Sequence, residues 1–328
     1  MSNTKEKKEI GIDEISAKEG VFHLQTHTWE YEGFLDKIIK GGDKTLIYNL
    51  HAIIPYFYLD SDLKQPFLNG EVSYCEIKGE IESKMSEREK SQIRAFEKAD
   101  HLFTISKNHK KVIELMGIAK PTHVFENLSD FEDLDEEIEQ ESTELAKQLR
   151  EELQAENVLL YCGRVENGKG NPGMFKALEK VIEENPSTRM ILVGEGEDAK
   201  QKLLAHGLKE KLLPYLKLVP WIDKNNPNSK KEFLKYYKTA DVLVQPMITK
   251  ELYAKTVIDA MAIGLPTRTT ESPYTIGSAK SAEEIYNSFK LLKNDPEKVK
   301  EIVHRAKGKV RRENTWKSYI SRLEKIVN

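Results

Sequence analysis

The sequence predicts an α/β protein of two domains, each a parallel sheet covered by helices. Three observations carry this. Short apolar runs alternate with longer amphipathic stretches, the pattern of strand and crossover helix. The alternation stops at a strongly acidic, aromatic-poor stretch from Ser129 to Glu156 and then restarts, which marks a domain boundary. At 328 residues the chain is too long for one ordinary core and fits two.

In the first half, "GVFHLQTH" (Gly20–His27) and "KTLIYNLH" (Lys44–His51) read as buried strands. "SEREKSQIRAFEKA" has helical spacing and "DHLFTIS" follows it as a strand. "KNHKKVIELMG" reads as a helix ended by Gly117, and "PTHVFEN" as a short strand. The acidic stretch reads as a solvated helix and linker. Beyond it, "NVLLYCGR" is a strand running into a turn, and "GMFKALEKVIEEN" an amphipathic helix followed by Pro186. "TRMILVGEG", "LKLVPWI" and "DVLVQPM" are further strands. "AKQKLLAHGLKEKL", "KKEFLKYYKTA" and "KTVIDAMAIG" supply the helices after each. "SAEEIYNSFKLLKN", "DPEKVKEIVHRAKGKV" with Pro296 at a helix start, and "TWKSYISRLEKIV" close the chain as helices. The expected domains are residues 1–135, a linker at 136–156, a second domain at 157–311, and a last helix at 312–328 that packs back on the first domain. The architecture this implies is two Rossmann-like domains facing across a cleft.

Composition bounds the partners. Charged residues are 32% of the chain and hydrophobic residues 39%, but the net charge is only -3. No global field draws the protein to nucleic acid, so any phosphate binding rests on a few placed cations. Cys75 and Cys162 are far apart and read as two free thiols in a reducing cytoplasm, with no metal-site spacing. The polar opening is no secretory signal, and no apolar run approaches the roughly 20 residues of a membrane span. A cytoplasmic protein is expected, with peripheral membrane contact left open.

Three segments bear on chemistry. In "GRVENGKG" (Gly163–Gly170), Gly163 lets the chain turn off its strand, and Arg164 and Lys169 bring two cations to the carboxyl end of the sheet. They are either ordinary solvated cations or ligands for a diphosphate near a helix N-terminus. "VGEGED" (Val193–Asp198) has two glycines but no third, and its acids would repel a pyrophosphate. It reads as a tight turn with helix-start acids, which argues against a nicotinamide-dependent oxidoreductase. "KELYAKTVIDAMAIGLP" (Lys250–Pro266) carries Glu251 and, eight residues on, Asp259. If all are helical, the two acids are roughly 12 Å apart along the axis, about the separation of the two sugars of a nucleotide-sugar. Carboxylates suit paired sugar hydroxyls. Glu251 also reads as an ordinary helix-start acid, whereas Asp259 sits among core residues.

In order and spacing, "YCGRVENGKG", "MILVGEGED" and "YYKTADVLVQPMITKELYAKTVIDAMAIGLP" resemble the GT-B fold glycosyltransferases of family 4, which are retaining and use nucleotide-sugar donors. The resemblance runs from about Gly20 to the end and is strongest from Val158 to Pro266. It implies that Arg164 and Lys169 bind the donor diphosphate and that Glu251 binds the transferred sugar. Asp259 would hold the ribose in place of the usual glutamate. "VPWI" would present the backbone of Trp221 and Ile222 to the base. "LIYNLHAIIP" resembles the strand carrying the family's active-site histidine, which makes His51 the match and leaves His23 and His27 structural. No metal or other cofactor is expected. The acceptor would be a sugar, a lipid-linked sugar or a protein. Two departures stand out: the first domain is expected to lack the family's opening strand-helix-strand section, and Leu252 and Ala254 stand where the family has glycines. They favour the alternative of a non-catalytic or partner-dependent GT-B protein, in which a second chain or an oligomer completes the site. The retained Arg164, Lys169, His51, Glu251 and Asp259 favour the enzyme.

Overall fold

A computed structural model describes residues 20–26, 44–50, 61–132, 134–165, 171–222, 227–246, 254–269, 274–277, 279 and 281–327. The chain forms two compact units, Met1–Glu126 with Arg322–Asn328, and Asn127–Ser321.

Unit one holds a parallel sheet in the order β1-β2-β3-β4, from β1 (Gly20–Thr26), β2 (Lys44–Leu50), β3 (His101–Thr104) and β4 (Thr122–Val124). Two of its helices, α1 (Ser61–Asn69) and α2 (Tyr74–Lys84), are ones the sequence did not announce. α1 carries Pro66 within it, and α2 mixes glycine and charges among its apolar positions. What fixes α2 is tertiary: Tyr74, Ile77 and Ile81 fall on one buried face. Its N-terminus is closed by a capping box, with Glu76 Oε2 accepting from Ser73 N at 2.7 Å. α3 (Glu87–Lys98) and α4 (Lys107–Leu115) follow as expected, and Phe96, Leu102 and Ile113 close the core with no exposed surface.

One polar pair is built into this unit. His101 Nδ1 lies 3.2 Å from His123 Nε2, within hydrogen-bond reach. Burial of the imidazole holds His123 below its ordinary value of 6.5, and His101, Lys110 and Arg322 push the same way. The sign follows from linkage. The unfolded chain takes up a proton near pH 6.5 that the folded chain resists, so stability is full above that pH and declines as pH falls through it. His123→Gln is therefore expected to flatten the loss of thermal stability between pH 7 and about 5. Parallel melts across that range check this; equal slopes for both proteins would discard the assignment.

Unit two is a five-stranded parallel sheet, β5 (Asn157–Cys162), β6 (Thr188–Val193), β7 (Leu216–Val219), β8 (Val242–Val244) and β9 (Thr267–Arg268), in the order β7-β6-β5-β8-β9. β5 reads as a continuous apolar run because both its faces are covered. Leu159 and Tyr161 pack with Met174, Phe175 and Leu178 of α6 (Asn171–Glu184). Val158, Leu160 and Cys162 pack on the other side, with Leu234 and Tyr237 of α8 (Pro227–Thr239) and Val257, Ile258 and Met261 of α9 (Lys255–Ile263). α10 (Ala282–Asn294), α11 (Pro296–Glu313) and α12 (Trp316–Val327) end the chain. The stretch expected as one helix from Ala199 is instead α7 (Lys200–Ala205) and a 3-10 turn at Glu210–Tyr215, interrupted at Gly207.

The acidic stretch is helical, as expected of it, but one of its faces is buried. It forms α5 (Glu136–Leu153), which buries Ser142, Ala146 and Leu149. Arg150 makes two bonds to Asp241, Nη1 to Oδ1 at 3.0 Å and Nη2 to Oδ2 at 2.9 Å. Asp241 in turn accepts from Val158 N at 2.7 Å, so helix, β5 and the start of β8 are stitched together. The two ends of the unit are also joined. Ser129 N donates to Asn314 O at 2.9 Å, and Asn314 Nδ2 donates to Asn127 O at 2.8 Å.

Candidate functional site

The strand order of unit two sets where a ligand is received. The chain winds outward from β5 to β7, then returns to place β8 and β9 on the other side of β5. The switch point lies between β5 and β8, and open parallel sheets bind ligands at the carboxyl ends of strands beside such a point. Gly163 and Arg164 leave β5 there.

The turn after β5 is fixed residue by residue. Gly163 has φ 148°, and Gly194, at the end of β6, has φ 116°. A Cβ on Gly194 would stand 2.8 Å from Gly163 O, so the two strand ends approach at a distance that only glycine permits. Gly163 N donates to Val193 O at 2.8 Å. The Tyr161 hydroxyl donates to Arg164 O at 2.9 Å. Val165 N donates to Glu195 Oε1 at 2.7 Å, and the Val165 side chain is wholly buried. Arg164 is left exposed between two pinned neighbours. Lys169, its expected companion, lies outside the described residues.

Beside this turn is a cavity of about 280 Å³, lined by Cys162, Gly163, Val193, Trp221, Ile222, Phe233, Lys255 and Thr256. Its walls are mostly apolar, as in ligand pockets generally. Ile222 is buried, whereas Trp221 is 69% exposed, a large aromatic face presented to solvent. Beneath the cavity the Tyr237 hydroxyl donates to Thr256 O at 3.2 Å. Burial keeps that phenol protonated, well above 10, with Cys162 and Asp259 adding to the effect.

The two acids of the 250–266 stretch fare differently. Glu251 lies outside the described residues, as does His51. Asp259 is fully buried and its carboxylate has partners within the chain. Its Oδ1 accepts from Asp130 N at 2.9 Å and Ser129 Oγ at 3.3 Å, and Lys255 Nζ stands 3.5 Å away. Lys255 Nζ also meets Asp130 Oδ1 and Leu128 O, both at 2.7 Å. Aspartate is one methylene shorter than the glutamate the resemblance has there. Its Oδ1 holds the 128–130 loop.

Glu195 differs from its expected role. It is no helix-start acid. It is buried, turns beneath the Gly163–Val165 turn, and is met by Lys202 Nζ at 2.5 Å. Nothing local in "VGEGED" signals this, because its acceptor role joins residues 30 apart in the chain. Among the described residues no group of His, Cys, Asp and Glu is placed to hold a metal ion, and no helix is long and apolar enough to cross a membrane.

Comparison with known proteins agrees with this geometry. The family model for glycosyl transferases group 1 matches residues 156–306, the greater part of unit two. No curated protein sequence matches the chain. Among solved structures, sucrose-phosphate synthase from Thermosynechococcus elongatus is similar at 16% identity with a TM-score of 0.65, over 93% of this chain and 72% of that one. The Anabaena protein HepE in complex with UDP-glucose has the same identity and TM-score, over 93% and 78%. A trehalose-6-phosphate synthase, OtsA, is similar at 14% identity and a TM-score of 0.63, over 96% and 75%. At such identities the likeness is one of fold, and the fold is that of the GT-B glycosyltransferases.

Proposed function

We propose that the protein is a retaining glycosyltransferase that moves a sugar from a nucleoside diphosphate sugar, with UDP as the carrier, to an acceptor hydroxyl. The observation that carries this reading is the pinned Gly163–Val165 turn. It sets the Arg164 cation at the switch point of the sheet, directly beside an apolar cavity edged by an exposed indole. A nucleotide needs both halves, a cation for phosphate and an apolar slot for the base. UDP is the carrier held by the structural neighbour HepE.

In this reading Arg164 and Lys169 meet the charge that develops on the departing diphosphate, which is electrostatic stabilisation of the transition state. Glu251 takes the hydroxyls of the transferred sugar, and His51 is the counterpart of the family's active-site histidine. The base lies against Trp221, with the backbone of Trp221 and Ile222 available to its edge. Asp259 acts from behind, holding α9 to the 128–130 loop.

The test is a panel of nucleotide-sugars incubated with the purified chain, with release of nucleoside diphosphate followed in the presence and absence of candidate acceptors. Release with one donor supports the reading, and failure to bind any nucleotide sinks it. Trp221→Ala is expected to weaken uridine and UDP alike, by about tenfold, since stacking of a base on an aromatic is worth about 1–3 kcal/mol. Calorimetric titration of both ligands measures it.

A further inference from the structure

We infer that Glu195, balanced by Lys202, is the positioning residue that holds the phosphate-facing turn in its binding shape. The inference rests on the donor reading above and adds to it a buried carboxylate that does not touch donor. The backbone of Glu195 is itself fixed, because Gly194 N and Glu195 N both donate to Val219 O, at 2.9 and 3.1 Å. From that base its Oε1 takes the Val165 amide at 2.7 Å. With Tyr161 on Arg164 O and Val193 on Gly163 N, each residue of the turn is anchored by at least one bond. Glu195 supplies the only side-chain acceptor among them.

The charge on Glu195 is the feature that needs explaining. A bare carboxylate beneath a diphosphate site would repel the ligand, and burying it alone is costly. An amide or hydroxyl could accept from Val165 N without either cost. Lys202, one turn into α7, removes the objection by pairing with the same oxygen that holds Val165, at 2.5 Å. The pair is thus neutral toward the ligand but strengthens the bond to the amide, since charge-assisted hydrogen bonds are about twice as strong as neutral ones. A turn held this way is organised before the donor arrives, so no binding energy is spent on ordering it.

The test compares UDP with uridine, which lacks the phosphates. Glu195→Ala frees the Val165 amide and is expected to weaken UDP about tenfold or more while leaving uridine within about twofold. Glu195→Gln keeps an acceptor and is expected to restore UDP affinity to within about threefold. Hydrogen exchange at Val165 should quicken in the alanine variant while Leu159 and Leu160 stay protected. Equal losses for UDP and uridine, or an unchanged UDP affinity, would overturn the inference. If the alanine variant does not fold, Lys202→Met leaves the carboxylate unbalanced beneath the site and should weaken UDP about tenfold relative to uridine; an unchanged ratio overturns the inference. Failure of the donor reading shows separately, as an unaltered chain that binds no nucleotide, and the inference then falls with it.

Discussion

Replacing Arg164 and Lys169 together with alanine is expected to cost at least about a hundredfold in UDP affinity while leaving uridine almost untouched. In the proposed site each cation would make a charge-assisted contact worth about 1.5–3 kcal/mol, and two together about 3 kcal/mol or more. At about 1.4 kcal/mol per tenfold, that is two decades or beyond. The fold should survive, because Arg164 is exposed and its carbonyl, which alanine keeps, accepts the Tyr161 hydroxyl. Calorimetry on the double variant decides the matter. A donor affinity that stays intact would remove the diphosphate assignment, and with it the main support for a transferase. A parallel rate measurement adds a second readout. If the cations also meet charge on the leaving group, turnover at saturating donor falls along with affinity.

Asp259→Ala is expected to act on stability rather than on recognition. It removes the acceptor of the Asp130 amide and the Ser129 hydroxyl, and one partner of the half-buried Lys255, from a carboxylate that is itself fully buried. Leaving those donors without their acceptor costs about 1–3 kcal/mol, a large share of the stability of a domain. Asp259→Asn keeps an oxygen for both donors and should lose less. Denaturant titration gives the magnitudes. The distinction from a ribose ligand comes from comparing UDP with its 2′,3′-dideoxy analogue on the asparagine variant. If Asp259 is internal, the preference for the ribose hydroxyls is the same as in the unaltered chain. If the preference disappears, the hydroxyls do reach this residue and the internal assignment fails.

The fold of unit two was legible because its strands are covered on both faces, and such strands show as unbroken apolar runs whatever the surroundings. β5 through β8 could be placed from such runs alone. β9 could not, as two residues carry no pattern. α1 and α2 were invisible for a related reason: neither has the propensity to form alone, and packing decides them. The candidate site divides along the same line. Arg164, Trp221 and Ile222 sit in local motifs at strand ends, and motif and position coincide. Asp259 was visible as an acid in an apolar helix, but the partners that explain it lie 129 and 130 residues earlier. A buried acid has two explanations, a ligand or an internal partner, and only coordinates separate them. Glu195 presents the same difficulty in reverse, since its neighbours made a solvated acid the simpler reading.

The bonds of Asn314 to Asn127 and Ser129 have a consequence for how such a chain is assembled. They bring the first and last segments of unit two within a single hydrogen bond of each other, and the chain of unit one is completed only by Arg322–Asn328. Unit two is therefore an insert whose two ends meet, the arrangement that tolerates circular permutation and transplantation into a host. The matched region at 156–306 is narrower than this insert, since α5 and Asn314 fall outside it. A recombination that respected only the matched region would cut away the helix that Asp241 anchors and the clasp that joins the ends. Asn314 marks where the loop of unit two is closed.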